Sequence, residues 1–505
     1  MARWFVDRFA QSGIPSVSLR HLLPGARFVG CPDLIVSGCS ADSRRIEPGQ
    51  VYIAIRGERI DGHDQIAKAL DRGASGVVVD RFCESAGPVQ IVVSDTRSAY
   101  GRICQALAGD PSSRLKLIAV SGLSSAETTS VFLRSIYEAS GRRYGYVGRD
   151  GWFDGRSRLP VAPPPWKPEV WARMLARMVE NECEGAVLLV SSETLENRLI
   201  EGVTLDRAVV TDLSTGSPVR GEKLRLERMR HARLVRMVAP DGAAIVAADD
   251  PEVEILGGVN LEADRVTFGL FAPADFSAKI ESADASGSRL LVKETNAESH
   301  VHLKLAGAGR LPAAIAAFAA ARSSGVSIEP IVAGIEAVDR VPGRFEPIQE
   351  GQGFPVWIEA IESTRDLKLA FRSLRAIVAG KIRCVLGPDV AATTAGRRSS
   401  AKIAGRYADH LILTSDLLQS RSSEDWPAIW GSMFDSSATI EHEPRRAAAI
   451  EKAIDESSAA DGVLIVGARR AMHADFSNDA IGSSDFVVAI RRLRRAASDR
   501  RRHTA

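Results

Sequence analysis

Residues Ala119-Val-Ser-Gly-Leu-Ser-Ser-Ala-Glu-Thr-Thr-Ser130 follow the apolar run Leu117 to Val120 and lead into a segment with helical signals, Thr128 to Ser140, closed by Gly141. Strand, loop of small residues and helix, in that order, are the context of a phosphate-binding loop. A working loop of this kind needs glycines, so that backbone N–H groups can close on phosphate, and a lysine to meet the phosphate charge. Gly122, Thr128 and Thr129 suit that role, but Ser125 and Ala126 stand where the second glycine and the lysine belong, and no lysine occurs between Lys116 and Lys167. Ser124-Ser-Ala-Glu127 also reads as a capping box, in which the Ser124 hydroxyl and Glu127 carboxylate satisfy the helix's own N–H groups. The stretch is therefore open to two readings, a degenerate phosphate loop or an ordinary capped helix after a buried strand.

Outward from the loop, strand and helix signals alternate nearly throughout, which predicts stacked α/β domains with mostly parallel sheets. A first block (1–110) has strands over Gln50 to Ile55 and Gly76 to Asp80, with a helix from Asp64 closed by Gly73. A second (111–340) opens with the Leu117 strand, continues through strands at Ala186 to Ser191, Ala208 to Leu213 and Ala243 to Ala248, and ends in an alanine-rich helix, Pro312 to Arg322. A third (341–490) has strands at Val356 to Glu359, Ile382 to Gly387, His410 to Ser415 and Gly462 to Gly467. The tail, 491–505, carries seven arginines in fifteen residues. It is expected to be a solvated, partly disordered terminus, although RNA, an anionic membrane face or an acidic partner could also meet such a run.

At 505 residues the chain has room for two to four domains, and 45% apolar with 25% charged residues is the balance of a folded globular protein. A formal charge of +2 gives no reason to expect general affinity for nucleic acid. The six cysteines (31, 39, 83, 104, 183, 384) form no CxxC and have no histidine at ligand spacing, so reduced core thiols are expected, without zinc or disulfides. The opening, Met1-Ala-Arg-Trp-Phe-Val-Asp-Arg8, carries an acid too early for a signal peptide, and no apolar run approaches the roughly 18 residues of a membrane span. A cytoplasmic protein is expected.

Three α/β blocks with a phosphate-type loop opening the middle one, preceded by Asp42-Ser-Arg44, Pro48-Gly49 and Asp61-Gly-His63, resemble the Mur ligases. Within that family the likeness is greatest to the branch that adds diaminopimelate or lysine to UDP-N-acetylmuramoyl-alanyl-glutamate. The resemblance runs from about residue 36 to 490 and implies an N-terminal UDP-binding domain, a central phosphate-loop domain and a C-terminal Rossmann-like domain. In the first domain the family pattern is kept, and Ser43, Arg44, Asp61, Gly62 and His63 are the implied precursor-binding positions. The same residues also suit plain turn chemistry.

In the other two domains the family's functional residues are replaced. The resemblance places a magnesium-binding glutamate at Leu189, a histidine at Glu193, an Asp-His pair at Gly216-Ser217 and a carbamoylated, metal-binding lysine near His231. A lone histidine among arginines reads as a surface residue. Asp249 and Asp250 keep the family's paired aspartates, which could contact nucleotide or serve as a turn and helix start. An adenine-contacting asparagine falls at Ala313. In the third domain Arg344 is the best remaining candidate for a phosphate contact. The motifs Asp-Tyr-Ala-His, Asp-Asn-Pro-Arg and Gly-Lys-Gly-His-Glu read Glu359-Ala-Ile-Glu362, Asp416-Leu-Leu-Gln419 and Gly467-Ala-Arg-Arg-Ala471.

Phosphoryl transfer depends on positioned cations, and losing one such group costs on the order of 10³ to 10⁵ in rate, about 4 to 7 kcal/mol. With several lost together, the leading expectation is a non-catalytic homologue that binds a UDP-N-acetylmuramoyl peptide or a protein of wall synthesis, with no cofactor. Two alternatives stand beside it. One is an active ATP- and magnesium-dependent acid–amino-acid ligase with a rebuilt site. The other is a structural or interaction protein.

Overall fold

The computed structural model describes residues 16–503 except 58–59, 85–86, 149–150, 160–166, 214–221, 255, 257–258, 260–261, 285–286, 306, 362–363, 388–393, 415–437 and 468–484. Three large sheets follow one another along the chain. The first has five strands in the spatial order Arg27–Val29, Gln90–Val92, Gly76–Val79, Val51–Ile53, Cys39–Ser40. All of its pairings are parallel except that of Arg27–Val29 with Gln90–Val92. Val51, Ile53, Val77, Val78 and Val79 are fully buried, as expected of β-branched runs covered on both faces.

The middle sheet has eleven strands. Its parallel centre runs from Tyr144–Gly148 through Gly185–Leu189, Lys116–Ser121, Leu205–Val210, Val238–Ala247 and Asp264–Gly269 to Phe276–Asp284. Helices Ala126–Ala139, Leu311–Ser323 and Ile328–Ala337 cover one face, and Pro168–Glu180 covers the other. Leu311 and Ala313 to Ala321 are all buried, so this helix is apolar all round and lies inside the domain. Antiparallel hairpins extend both edges: Gly151–Phe153 with Arg158–Leu159 on one side, Gly287–Glu294 with Ala297–Leu303 on the other. These hairpins depart from the mostly parallel expectation; their alternation of polar and apolar residues reflects one face packed and one in water.

The third sheet has six strands, ordered Glu346–Ile348, Val356–Ala360, Gly462–Gly467, Ile382–Leu386, His410–Leu413 and Thr439–His442, parallel except at the first. The arginine-rich tail is not the disordered terminus expected of it. It lies in a helix, Asp485–His503, whose Val488, Ala489 and Leu493 are buried against the third domain. Ion pairs Arg492–Asp455 (2.6 Å) and Arg494–Glu350 (2.8 Å) hold the same turns. An apolar residue every third or fourth position gave the chain a reason to dock that its charge count concealed.

Between the first two domains, Tyr100 Oη donates to Glu169 at 2.6 Å and Arg198 pairs with Asp95 at 2.6 Å. The second and third meet at the phosphate-type loop. Among the described residues, no helix is long and apolar enough to cross a membrane.

Candidate functional site

The strand Lys116–Ser121 lies in the middle of its sheet, between Gly185–Leu189 and Leu205–Val210, and its loop leaves at the carboxyl ends, where ligands of open α/β sheets bind. Gly122 has φ of 147°, and a β-carbon there would collide with Thr211 Oγ1 and come within 3.0 Å of Asp212 Oδ1. The fold therefore needs this glycine whether or not a phosphate is bound. Two loop amides are committed to Asp212: Leu123 N donates to its carbonyl and Ser125 N to its carboxylate, each at 3.1 Å. Asp212 thus uses donors that an anion would require.

The expected capping box does not form. The helix begins at Ala126 after Ser125, which makes no side-chain cap, and Ala126 is packed into the core. Ser124 and Glu127 turn instead toward the third domain. The Ser124 hydroxyl donates to Asp366, and Arg344 Nε donates to Glu127 Oε2 at 3.0 Å. Arg344 is 3% exposed; it also donates to the Ala360 carbonyl (3.1 Å) and lies 3.9 Å from Asp366. The arginine expected to meet phosphate is thus buried against an internal carboxylate. Thr128 is buried, and the Thr129 hydroxyl bonds back to the Ser125 carbonyl at 2.9 Å.

A second pair crosses the same junction: Arg310 donates to Glu359 at 3.0 Å. Burial pushes the Glu359 carboxyl up to about 7; Arg310 and Arg344 oppose this and Asp366 adds to it. Beside these pairs lies a small, partly open cleft lined by Ser124, Arg310, Phe345, Glu359, Asp366 and Ser373 among others. Its wall Phe345 has a left-handed φ of 47° and stacks on Trp357, ring centres 5.0 Å apart.

Four carboxylates (Glu127, Asp212, Glu359, Asp366) and two guanidinia (Arg310, Arg344) therefore surround the loop. A phosphate oxygen about 4 Å from one of these carboxylates would meet roughly 4 kcal/mol of repulsion at an effective dielectric constant of about 20. Among the described residues, the lysine position of the loop is Ala126 and both nearby guanidinia are engaged by carboxylates.

Leu189 packs on the core at its strand end, and Glu193 is exposed on the short helix Ser192–Glu196. His231, read from sequence as a surface residue, is fully buried in the helix Glu222–Val235. Glu227, His231, Leu234 and Val235 form the buried stripe of that helix at i, i+4, i+7 and i+8, with the arginines on its other sides. His231 Nδ1 is 2.9 Å from the Glu227 carbonyl and Nε2 is 3.1 Å from Ser121 Oγ, which itself donates to the Val190 carbonyl at 2.6 Å. Burial pushes the imidazole toward its neutral form.

Both members of the aspartate pair hold backbone. Asp249 accepts from the amides of Leu270, Phe271 and Ala272, and Asp250 from those of Leu213 and Glu252. Gly216 and Ser217 lie outside the described residues, as do Glu362, 416–419 and 468–471.

In the first domain the two expected precursor motifs come to one end of the sheet. Ser43 is buried in a short 3₁₀ turn capped by Asp42, whose carboxyl is held low chiefly by hydrogen bonding from the exposed Arg44 guanidinium. Asp61 accepts from His63 N at 3.0 Å and lies 2.6 Å from His63 Nδ1. Its carboxyl lies well below the usual range, first because of the His63 amide. Gly62 is required by close approach: a β-carbon would be 2.6 Å from Ile55 N, and its carbonyl accepts from Tyr52 Oη at 2.9 Å. Burial pushes the Tyr52 phenol up to about 12, with the charges of Asp42 and Asp61 adding. Arg81, missed in the sequence, sits over Asp61 at 3.2 Å with its side chain 45% exposed.

Three family models match the chain in order: Mur ligase family, catalytic domain, at residues 35–106; Mur ligase middle domain at 128–321; and Mur ligase, glutamate ligase domain, at 343–469. The chain is 29% identical over 488 residues to UDP-N-acetylmuramoyl-L-alanyl-D-glutamate–2,6-diaminopimelate ligase of Geobacillus kaustophilus (strain HTA426), covering 94% of this chain and 98% of that one. It is 30% identical over 464 residues to UDP-N-acetylmuramyl-tripeptide synthetase of Roseiflexus sp. (strain RS-1), covering 86% and 89%. Its fold is similar to a solved UDP-N-acetylmuramoyl-L-alanyl-D-glutamate–2,6-diaminopimelate ligase (TM-score 0.67, 21% identity, 96% of this chain and 100% of that one). It is also similar to MurF from Acinetobacter baumannii (TM-score 0.60, 20% identity, 91% and 97%).

Proposed function

The chain belongs to the Mur ligase family, and we propose that it is a non-catalytic homologue of the peptidoglycan-precursor ligases that retains a precursor-binding role. The observation that carries this reading is the Glu127–Arg344 pair in a loop whose lysine position is Ala126. Phosphoryl transfer needs cations free to meet the phosphates. Here a carboxylate engages the cation, and Asp212 engages the loop amides.

The implied ligand is a UDP-N-acetylmuramoyl peptide held at the first domain. Arg44 and Arg81 pair with Asp42 and Asp61 but keep their side chains 73% and 45% exposed, unlike buried Arg344, so they can turn to a diphosphate at that edge. UDP-linked peptides are water-soluble, so the reading places the protein in the cytoplasm, with a protein of wall synthesis as a further partner. Calorimetry with UDP-N-acetylmuramoyl-alanyl-glutamate tests it: saturable binding to the full chain, abolished by R44A/R81A, is expected. A full chain that takes up no precursor overturns it.

A second reading, an active ATP-dependent acid–amino-acid ligase with a rebuilt site, is favoured by a different observation. Relatives matched over nearly their whole length carry ligase names, and those names favour this reading over the first. Precursor-dependent phosphate release from ATP would support the second reading and exclude the first.

A further inference from the structure

Cys39 and Cys104 place their sulfurs 3.7 Å apart, although 65 positions separate them in sequence. The other thiols with contacts point elsewhere: Cys83 toward the Arg81 carbonyl and Cys183 toward that of Asp154. Cys39 lies on the two-residue strand Cys39–Ser40, at the edge of the first sheet and paired only through Val51 and Tyr52. Cys104 lies in the helix Thr96–Leu107, which is fixed by buried Ala99, Tyr100 and Ile103 and by the Tyr100–Glu169 bond.

We propose that Cys39 and Cys104 are a thiol pair that a small-molecule disulfide oxidises to an intramolecular disulfide, and that this moves the Asp42–Arg44 turn. Cys39 is half-buried, whereas Cys104 is buried and is held as a thiol by that burial and by the neighbouring Cys39. The first attack therefore falls to Cys39. Its thiolate displaces one thiolate from the small disulfide and forms a mixed disulfide. Cys104 sulfur then attacks Cys39 Sγ, forming the protein disulfide and releasing the second thiolate. The two protons lost by the cysteines go to the two released thiols, and the small disulfide is the species reduced.

A disulfide needs its sulfurs about 2.05 Å apart, so the pair must close by roughly 1.6 Å. Side-chain rotation at either cysteine can supply part of this closure; because the helix is locked in the core, backbone movement falls on the edge strand. Ser40, next to Cys39, bonds both the Asp42 amide (3.1 Å) and the Asp42 carbonyl (3.3 Å), so displacement passes directly into the turn that holds Ser43 and Arg44. That this turn meets a precursor rests on the reading above; the cross-link and the displacement do not.

The test exposes the full chain to oxidised glutathione and maps its peptides by mass without reduction. A Cys39–Cys104 linked peptide is expected, with a glutathione adduct trapped on Cys39 in C104S and no linked peptide in C39S. Hydrogen exchange across residues 40–45 should differ between oxidised and reduced protein. Adducts without a linked peptide in the unsubstituted chain overturn the pair. A linked peptide with unchanged exchange at 40–45 overturns the coupling to the turn.

Discussion

Arg344 and Glu127 are 217 residues apart in sequence and joined at 3.0 Å, with side chains only 2% and 9% exposed. The pair links the helix behind the phosphate-type loop to the strand-entry segment of the third domain. It engages, inside the molecule, the arginine that the sequence leaves as the best candidate for a phosphate contact.

Breaking this pair on one side should be costly. E127A takes the nearest carboxylate from the buried Arg344 guanidinium and R344A takes that cation from the buried Glu127, and each should lower stability by about 2 to 4 kcal/mol. The double variant E127A/R344A should lose clearly less than the sum, and urea denaturation of the four proteins gives the coupling. Additive losses would show that the two side chains act independently.

Glu359 sets a pH dependence at the same junction. Its folded-state value of about 7 lies above the ordinary 4.5, so the folded protein holds a proton that the unfolded chain releases. Stability should therefore fall as pH rises from about 4.5 to 7, and level off above that. E359Q should remove this slope, measured as the denaturation midpoint against pH. A slope unchanged in E359Q would assign it to another group.

G122A tests whether the loop glycine is structural. The new β-carbon meets Thr211 Oγ1 at a φ of 147°, so a loss of about 2 kcal/mol or more is expected. T211A should recover part of it, because it removes the collision but not the backbone strain. A stable G122A would mean the loop has room that the close approach denies.

Much of the architecture was legible in the sequence because burial imposes period. The Leu117, Ala186, Ala208 and Gly462 runs are continuous and apolar, and each is a strand of a parallel sheet. The edge hairpins of the middle domain were not legible, since half their residues face water and read as loop. Ser124 and Glu127 misled for another reason. Capping chemistry is local, whereas their partners Asp366 and Arg344 arrive from another domain, and no local pattern announces them. His231 could have been placed correctly: its spacing to Leu234 and Val235 is that of a buried helical face, which its arginine neighbours hid.

Rebuilding the loop should change what it binds. A126K/E127T/D212N supplies a cation, removes Glu127 from Arg344 and removes a carboxylate from the loop amides. Removing one unit of like-charge repulsion is worth a factor of ten or more in affinity, so inorganic tripolyphosphate should bind at least about tenfold tighter than to the unsubstituted chain. Equal binding by both proteins would mean that charge at this loop is not what excludes the anion.

The most direct measurement is a calorimetric titration of ATP with magnesium into the full, unsubstituted chain at neutral pH. The arrangement of Glu127, Arg344 and Asp212 predicts no saturable heat. Saturable binding with a Kd of roughly 1 mM or tighter, within the ordinary range of enzyme–substrate affinities, would contradict the account and favour a working ligase.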